Sequence, residues 1–236
     1  STTDFDKVVF MGVLRGTHLV YKHCQDNKKD FYYIDRPYWG ESRATPYWMR
    51  CVKNQHVKTF VDHRPDDRFK QQFKDPVKSF HKNGTYVLVV PPSHAMAEMF
   101  DGKDWLDNTI KVLKDNTDRE IIVREKPYNP KAVIDGEGKM VPGKSANNQP
   151  PKPFEWGKVH AVVTFNSSIS IKALTNGVPA FANFDNPCMP VCEQDFSKIE
   201  TPKYEDPRPV LNSLAYNQFT QDEFRSGYYM EILDGR

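Results

Sequence analysis

At 236 residues the chain is long enough for one large domain or two small ones with real cores, and its 38% hydrophobic content and 18 prolines predict extensive loops. No apolar run approaches the roughly 18 residues that a membrane span needs, and the opening Ser-Thr-Thr-Asp-Phe-Asp-Lys lacks an apolar signal core, so a soluble, cytoplasmic protein is expected. The net charge of +2 conceals an asymmetry: residues 1–83 carry 16 Lys/Arg against 10 Asp/Glu (+6), and the rest 17 against 21 (−4).

Five of the seven histidines and 14 of the 30 aromatics also fall in those first 83 residues. Such a composition fits contact with a polyanion or stacking on flat rings, or else an ordinary surface with scattered lysines. Cys24, Cys51, Cys188 and Cys192 have no neighbouring Cys/His pair to complete a tetrahedral zinc site, so free thiols in a reducing compartment are expected.

In chain order, residues 7–13 read as a buried strand. Gly12 and Gly16 bracket a tight turn carrying Arg15, and Thr17 opens an amphipathic helix to about Asp26. The turn is neither a Walker A nor a Rossmann fingerprint, and as a phosphate site it is weak. Residues 30–34 form the second strand and run into Asp35-Arg36-Pro37-Tyr38-Trp39-Gly40-Glu41-Ser42-Arg43. Ligands of open α/β sheets bind beyond the carboxyl ends of strands. Asp35 is therefore a candidate general base with Tyr38 and Trp39 as candidate stacking groups, or it caps a turn while the rings pack locally.

Residues 47–52 form a possible strand, and 54–67 a polar loop with His56, Lys58, His63 and Arg64. Phe69, Phe73, Val77 and Phe80 recur at helical spacing, which predicts the buried face of a helix kinked at Pro76. Residues 85–90 are a strong buried strand ending in Pro91-Pro92-Ser93-His94. Here Ser93 or His94 is placed to meet a phosphate, or His94 caps a helix. Residues 105–115 form a helix and 120–123 a strand, after which Arg124 and Lys126 suit a diphosphate or a salt bridge with Glu125. Residues 128–158, rich in Pro and Gly, are expected to form a mobile lid.

The stretch at 159–182 organises the remainder. Val159 to Phe165 is an apolar, β-branched strand, and Asn166-Ser167-Ser168 supplies small polar groups at a helix start. Ile169, Ala173 and Leu174 keep helical spacing, Asn176-Gly177 ends the helix, and 178–182 begins another strand. This strand–turn–helix–strand unit presents hydroxyls and backbone N–H groups where an anion binds. Residues 209–222 and 223–233 then read as terminal helices.

A strand ending in Asn-Ser-Ser, a helix, then Gly177-Val178-Pro179 and a strand resembles the donor-binding half of GT-B glycosyltransferases, of the capsule or surface-polysaccharide kind and its small phage-encoded versions. Residues 117–127, and the tail from Pro207-Arg208-Pro209 through 214–220 to Glu223-Phe224-Arg225-Ser226-Gly227, extend the resemblance over roughly residues 105–230. It implies an α/β fold of two Rossmann-like parallel-sheet halves facing across a cleft. Residues 1–92 would form the acceptor side, 93–207 the nucleotide-sugar side, and 208–236 a helical tail bracing both.

The implied activity is transfer from a nucleotide sugar, a UDP-sugar by expectation, without an obligatory metal. Asp35 and His94 would be catalytic, and Gly12, Arg15, Gly16, Ser93, Arg124, Lys126, Asn166, Ser167 and Ser168 would bind the donor. Arg36, Tyr38, Trp39, Arg43, Arg50, Lys53 and Lys58 would bind the acceptor. The basic, aromatic first part points to hydroxymethylated pyrimidine in DNA, with a surface glycan or a non-catalytic nucleic-acid-binding role as alternatives. Lys172 departs from the resemblance, standing where such donor helices often carry a ribose-binding glutamate.

Overall fold

A computed structural model describes residues 6–13, 16–40, 46–124, 133–134, 140–141 and 154–235. Most of the expected lid, and the candidate residues Arg15, Arg43 and Lys126, lie outside the described residues. The elements are β1 (Lys7–Met11), α1 (Thr17–Asp26), β2 (Asp30–Asp35), β3 (Trp48–Lys53), α2 (Asp67–Gln72), β4 (Tyr86–Val90), α3 (His94–Met99), α4 (Trp105–Lys114) and β5 (Glu120–Val123). They continue with β6 (Val133–Ile134), β7 (Met140–Val141), β8 (Val159–Thr164), α5 (Ile169–Thr175), β9 (Ala180–Phe181), α6 (Arg208–Ala215), β10 (Gln218–Thr220), α7 (Gln221–Arg225) and α8 (Tyr228–Asp234).

The fold is α/β with two four-stranded sheets. The second sheet, β5-β4-β8-β9, is wholly parallel. Its central strand β8 is buried at all six positions, as the unbroken apolar run required. The first sheet, β1-β2-β3-β10, departs from the expected parallel half. Only β1 and β2 run parallel, whereas β3 is antiparallel to both β2 and β10. The link from Asp35 to Trp48 contains no helix among the described residues to carry a parallel crossover, so β3 returns antiparallel. β1 is an edge strand rather than a buried one, leaving Val9 and Met11 exposed.

Two further expectations change. The Phe69–Phe80 stripe is buried or half-buried, but α2 stops at Gln72 and Phe73 is already extended, before Pro76 is reached. The presumed single helix at 209–222 breaks after Ala215, and Gln218–Thr220 becomes β10 paired with Trp48–Arg50. One apolar cluster then joins the parts of the chain: Tyr38, Trp39 and Val57 pack with Leu88, Val162 and Leu174, and with Leu211 and Leu214 of α6.

Arg68 fixes that arrangement. From α2 it reaches Glu223 with Nη1 (2.7 Å), the Gln218 carbonyl with Nη2 (2.6 Å) and the Ala215 carbonyl with Nε (3.4 Å). Its guanidinium carbon lies 5.5–5.8 Å from the ring centroids of Trp48, Tyr216, Phe219 and Tyr228. Glu223 doubles as the capping-box residue of α7, accepting from the Thr220 N–H (2.7 Å).

At Gly177, φ is +74° and a Cβ would stand 2.1 Å from the Ser79 carbonyl oxygen. The predicted helix stop is therefore also a point of close backbone approach.

Removing Arg68 strands the Glu223 carboxylate and several carbonyls. Arg68→Ala is expected to cost about 3 kcal/mol in urea unfolding. Gly177→Ala, which meets both a strained φ and a blocked Cβ, should lower the same denaturation midpoint by more than ~1 kcal/mol equivalent.

Candidate functional site

The order β5-β4-β8-β9 contains a reversal. From β4 the chain moves to one side to make β5, then crosses to β4's other side to make β8. The crevice beyond the carboxyl ends of β4 and β8 is thus a topological switch point, where open α/β sheets take ligands. Thr164 donates from Oγ1 to the Val90 carbonyl (2.8 Å) and ties the two strand ends together.

Beyond β8 comes the Asn166-Ser167-Ser168 turn. Ser167 Oγ accepts from the Ile169 N–H (3.3 Å), whereas the hydroxyl of Ser168, the N-cap of α5, makes no cap bond. The turn is held from beneath by Asn186, which is wholly buried. Asn186 accepts at Oδ1 from Ser170 Oγ (2.7 Å) and the Cys188 N–H (3.0 Å), and donates from Nδ2 to the Ser167 carbonyl (3.2 Å). Asn166 is different: its Nδ2 is shut from solvent and has no hydrogen-bond partner among the described residues. A buried donor left so costs about 1–3 kcal/mol, which marks the turn as unfinished without a ligand or water.

Beyond β4, Ser93 is the N-cap of α3 without a side-chain cap bond, and His94 is well exposed, 3.7 Å from Glu98. Beyond β5, the Arg124 backbone N–H donates to the Val89 carbonyl (2.8 Å), and its guanidinium lies 4.0 Å from the Phe154 ring centroid. Such a contact with a ring is compatible with in-plane N–H donors turned to an anion. Ser93, Arg124 and the Asn166–Ser168 turn therefore share one sheet edge.

Gly12 and Gly16 sit at the carboxyl end of β1 with φ of +67° and +91°. Added Cβ atoms would meet nothing within 4 Å, so their glycines serve the backbone conformation rather than close approach.

Most acceptor-side candidates lie in other roles. Tyr38 and Trp39 are 3% and 6% exposed, inside the shared core, so neither ring is free to stack on an acceptor. Asp35 is fully engaged: Oδ2 accepts from Tyr33 Oη (2.8 Å) and Arg50 Nη2 (2.9 Å), and Oδ1 from the Arg36 N–H (2.7 Å). Burial pushes its carboxyl up, but the Arg50 charge and these hydrogen bonds outweigh it and hold the group below the usual range. A general base needs a pKa nearer the working pH; Asp35, held below the usual range, is instead the anchor of Arg50. Lys53 is spent on Asp234 (2.8 Å) and Lys58 on Asp62 (2.7 Å), while Arg36 is exposed.

Sequence reasoning passed over Asp185, in the loop beyond β9. Asp185 is an exposed residue whose partial desolvation raises its carboxyl above the ordinary value, and its charge, after burial, helps to raise Tyr21 of α1. A short aromatic series leads there, with Tyr21 against Phe100, Phe100 against Phe184, and Phe184 stacked on Phe165 at 4.3 Å. The signal was only positional, an aspartate just past a predicted strand.

Two surface recesses lie elsewhere. One of about 260 Å³ is bounded by Lys53, Lys58, Asp62, Arg64 and Asp234, and one of about 720 Å³ opens at the amino edge of the parallel sheet near Thr85, Arg119 and Glu200. The four cysteines are free and buried. Among the described residues, no group of three or more His, Cys, Asp and Glu is placed to hold a metal, and no helix is long and apolar enough to cross a membrane.

No protein-family model and no curated protein sequence matches the chain. Among solved structures it is similar to Thermosulfurimonas dismutans KpsC, a beta Kdo 2,4 transferase. The identity is 10% over 88% of this chain and 79% of that one, with a TM-score of 0.47.

Asp62 supplies a pH-dependent anchor near this core. Burial raises its carboxyl, but Lys58, Ser213 and Arg64 lower it further, from 3.8 to about 2. A carboxyl depressed in the folded state stabilises fully above the unfolded value and loses that contribution as pH falls through the folded one. The gap in unfolding midpoint between wild type and Asp62→Asn should accordingly be full above about pH 4, shrink toward pH 2 and vanish below it.

Proposed function

We propose that the protein is a glycosyltransferase that takes a nucleotide sugar at the β4/β8 edge and passes the sugar to a hydroxyl acceptor. The observation that carries this reading is the unpartnered Asn166 side-chain N–H group on the turn at the topological switch point. Glycosyl transfer releases a nucleoside diphosphate, and fixed donors aimed at the growing negative charge lower the barrier. Asn166, with the Ser167, Ser168 and Ser93 hydroxyls, supplies neutral donors. Arg124 supplies a charge with directional N–H groups. Because α5 has only seven residues, these side chains rather than a long helix dipole do most of that work. A UDP-sugar is the proposed donor.

The acceptor hydroxyl must lose a proton as the bond forms. Asp185 suits that role better than Asp35: its carboxyl is shifted toward neutrality and not away from it, and it stands at the carboxyl edge of the same sheet. His94, exposed at the start of α3, remains the second proposed proton acceptor.

The acceptor proposed is a glycan hydroxyl, of a surface or capsular polysaccharide, rather than a pyrimidine in DNA. Arg50, Lys53 and Lys58, which would have met DNA phosphates, are each held by a carboxylate. Part of the basic surplus is thus neutralised internally.

A thermal-shift panel of UDP-, GDP-, CDP- and ADP-sugars tests the reading. One donor should raise the melting temperature by mass action, and Asn166→Ala should bind it about tenfold more weakly. If none of these nucleotide sugars shifts the protein, the donor site is refuted; salt-dependent DNA binding would instead restore the nucleic-acid reading.

A further inference from the structure

The loops that carry Asn166 and Asp185 follow neighbouring strands. β8 and β9 run parallel, with Val162 against Ala180 and Val163 against Phe181, so both loops leave the same sheet edge. Strand pairing stops short of both residues, and two cross-links between the loops continue where it ends.

The first link is a ring stack. Phe165 and Phe184 lie face to face, with centroids 4.3 Å apart and planes inclined by 4°. The second is the side chain of Asn186, which is wholly buried. It reaches from its own loop to the other one. Its Oδ1 accepts from Ser170 Oγ (2.7 Å), and its Nδ2 donates to the Ser167 carbonyl (3.2 Å). The Cys188 N–H, also 3.0 Å from Oδ1, decides which end of the amide is the oxygen, because a backbone donor needs an acceptor. An aspartate would keep the accepted bonds but turn an oxygen towards the Ser167 carbonyl. A short amide meets all three partners.

The links flank the two proposed groups in the same way. Phe165 and Ser167 bracket Asn166, and Phe184 and Asn186 bracket Asp185. Each group therefore rides on a residue whose two neighbours are tied across the gap.

We propose that Asn186 is a positioning residue for the transfer. With the Phe165–Phe184 stack it joins the two loops into one unit and sets the separation between the Asn166 contact and the Asp185 proton acceptor. The roles of Asn166 and Asp185 rest on the glycosyltransfer reading; the cross-link between their loops does not. A displacement of about 1 Å in such a pair can cost about a hundredfold in rate.

The test uses the whole protein, with melting temperatures to show that each variant is folded. Without nucleotide, the Asp185 carboxyl is titrated by carbon NMR and backbone amide exchange is followed at 166–170 and 183–188. The wild-type carboxyl should titrate above the ordinary value, as its partial desolvation requires. In Asn186→Ala the loop opens to water, so the titration should move down towards that value, and both segments should exchange about tenfold faster. Phe184→Leu, which loosens the other link, should act in the same direction. Asp62→Asn, which weakens a distant anchor, should leave both readings as in the wild type. With whichever of the UDP-, GDP-, CDP- or ADP-sugars shifts the wild type, Asn186→Ala should release nucleoside diphosphate with kcat lowered about a hundredfold and KM changed less. A folded Asn186→Ala with the wild-type titration, faster exchange in one segment alone, or an unchanged kcat would overturn the proposal. If no nucleotide sugar binds, the donor site is refuted instead, and the two nucleotide-free readings decide the cross-link.

Discussion

The structure depends most on the burial of one cation. Arg68 carries its charge into a nest of four aromatic rings, two backbone carbonyls and the Glu223 carboxylate. A guanidinium taken out of water is tolerated only when its donors are met, and here the acceptors come from one short run of tail. That run is the end of α6, β10 and the start of α7. By gathering it, Arg68 sets β10 alongside β3, where Asn217 exchanges hydrogen bonds with Cys51 (2.8 and 3.0 Å). The first sheet is thus finished by residues more than 160 positions away from its third strand.

The same logic governs the other charges of the first part. Composition suggested a basic surface open to a polyanion. Folding instead pairs Arg50 with Asp35, Lys53 with Asp234 and Lys58 with Asp62, so several cations serve to tie the loops and the tail together. Tyr32 joins this scheme by donating to Asp234 (2.7 Å), which pins the last helix to the sheet. Arg124, at the carboxyl edge of the parallel sheet, instead lies with its guanidinium over the Phe154 ring.

The turn after β8, the candidate donor contact, has its shape set by the protein's own side chains. Asn186 satisfies itself on Ser170, Cys188 and the Ser167 carbonyl, and so fixes the loop's shape from the protein side. Asn166, on the same turn, is left with a donor to spare. The proposed donor contact rests on that pairing of a satisfied support with an unmet donor.

The sequence by itself determined the parallel sheet. β4, β5 and β8 are short β-branched runs bounded by turn residues, and the α5 stop at Asn176-Gly177 follows from glycine's access to positive φ; these are local properties of the chain. The Asn-Ser-Ser turn was legible for the same reason. Only tertiary structure decided that β1 is an edge, that β3 returns antiparallel, and that Gln218–Thr220 is a strand, because three residues carry no period and take their conformation from the partner they pair with. It also decided what each polar side chain does. Asp35 and Asp185 both stand just past predicted strands, yet one is enclosed by Arg50 and Tyr33 and the other is exposed, with a carboxyl raised by partial desolvation. Proton affinity depends on the charges and dipoles within a few ångströms, and those neighbours come from distant parts of the chain.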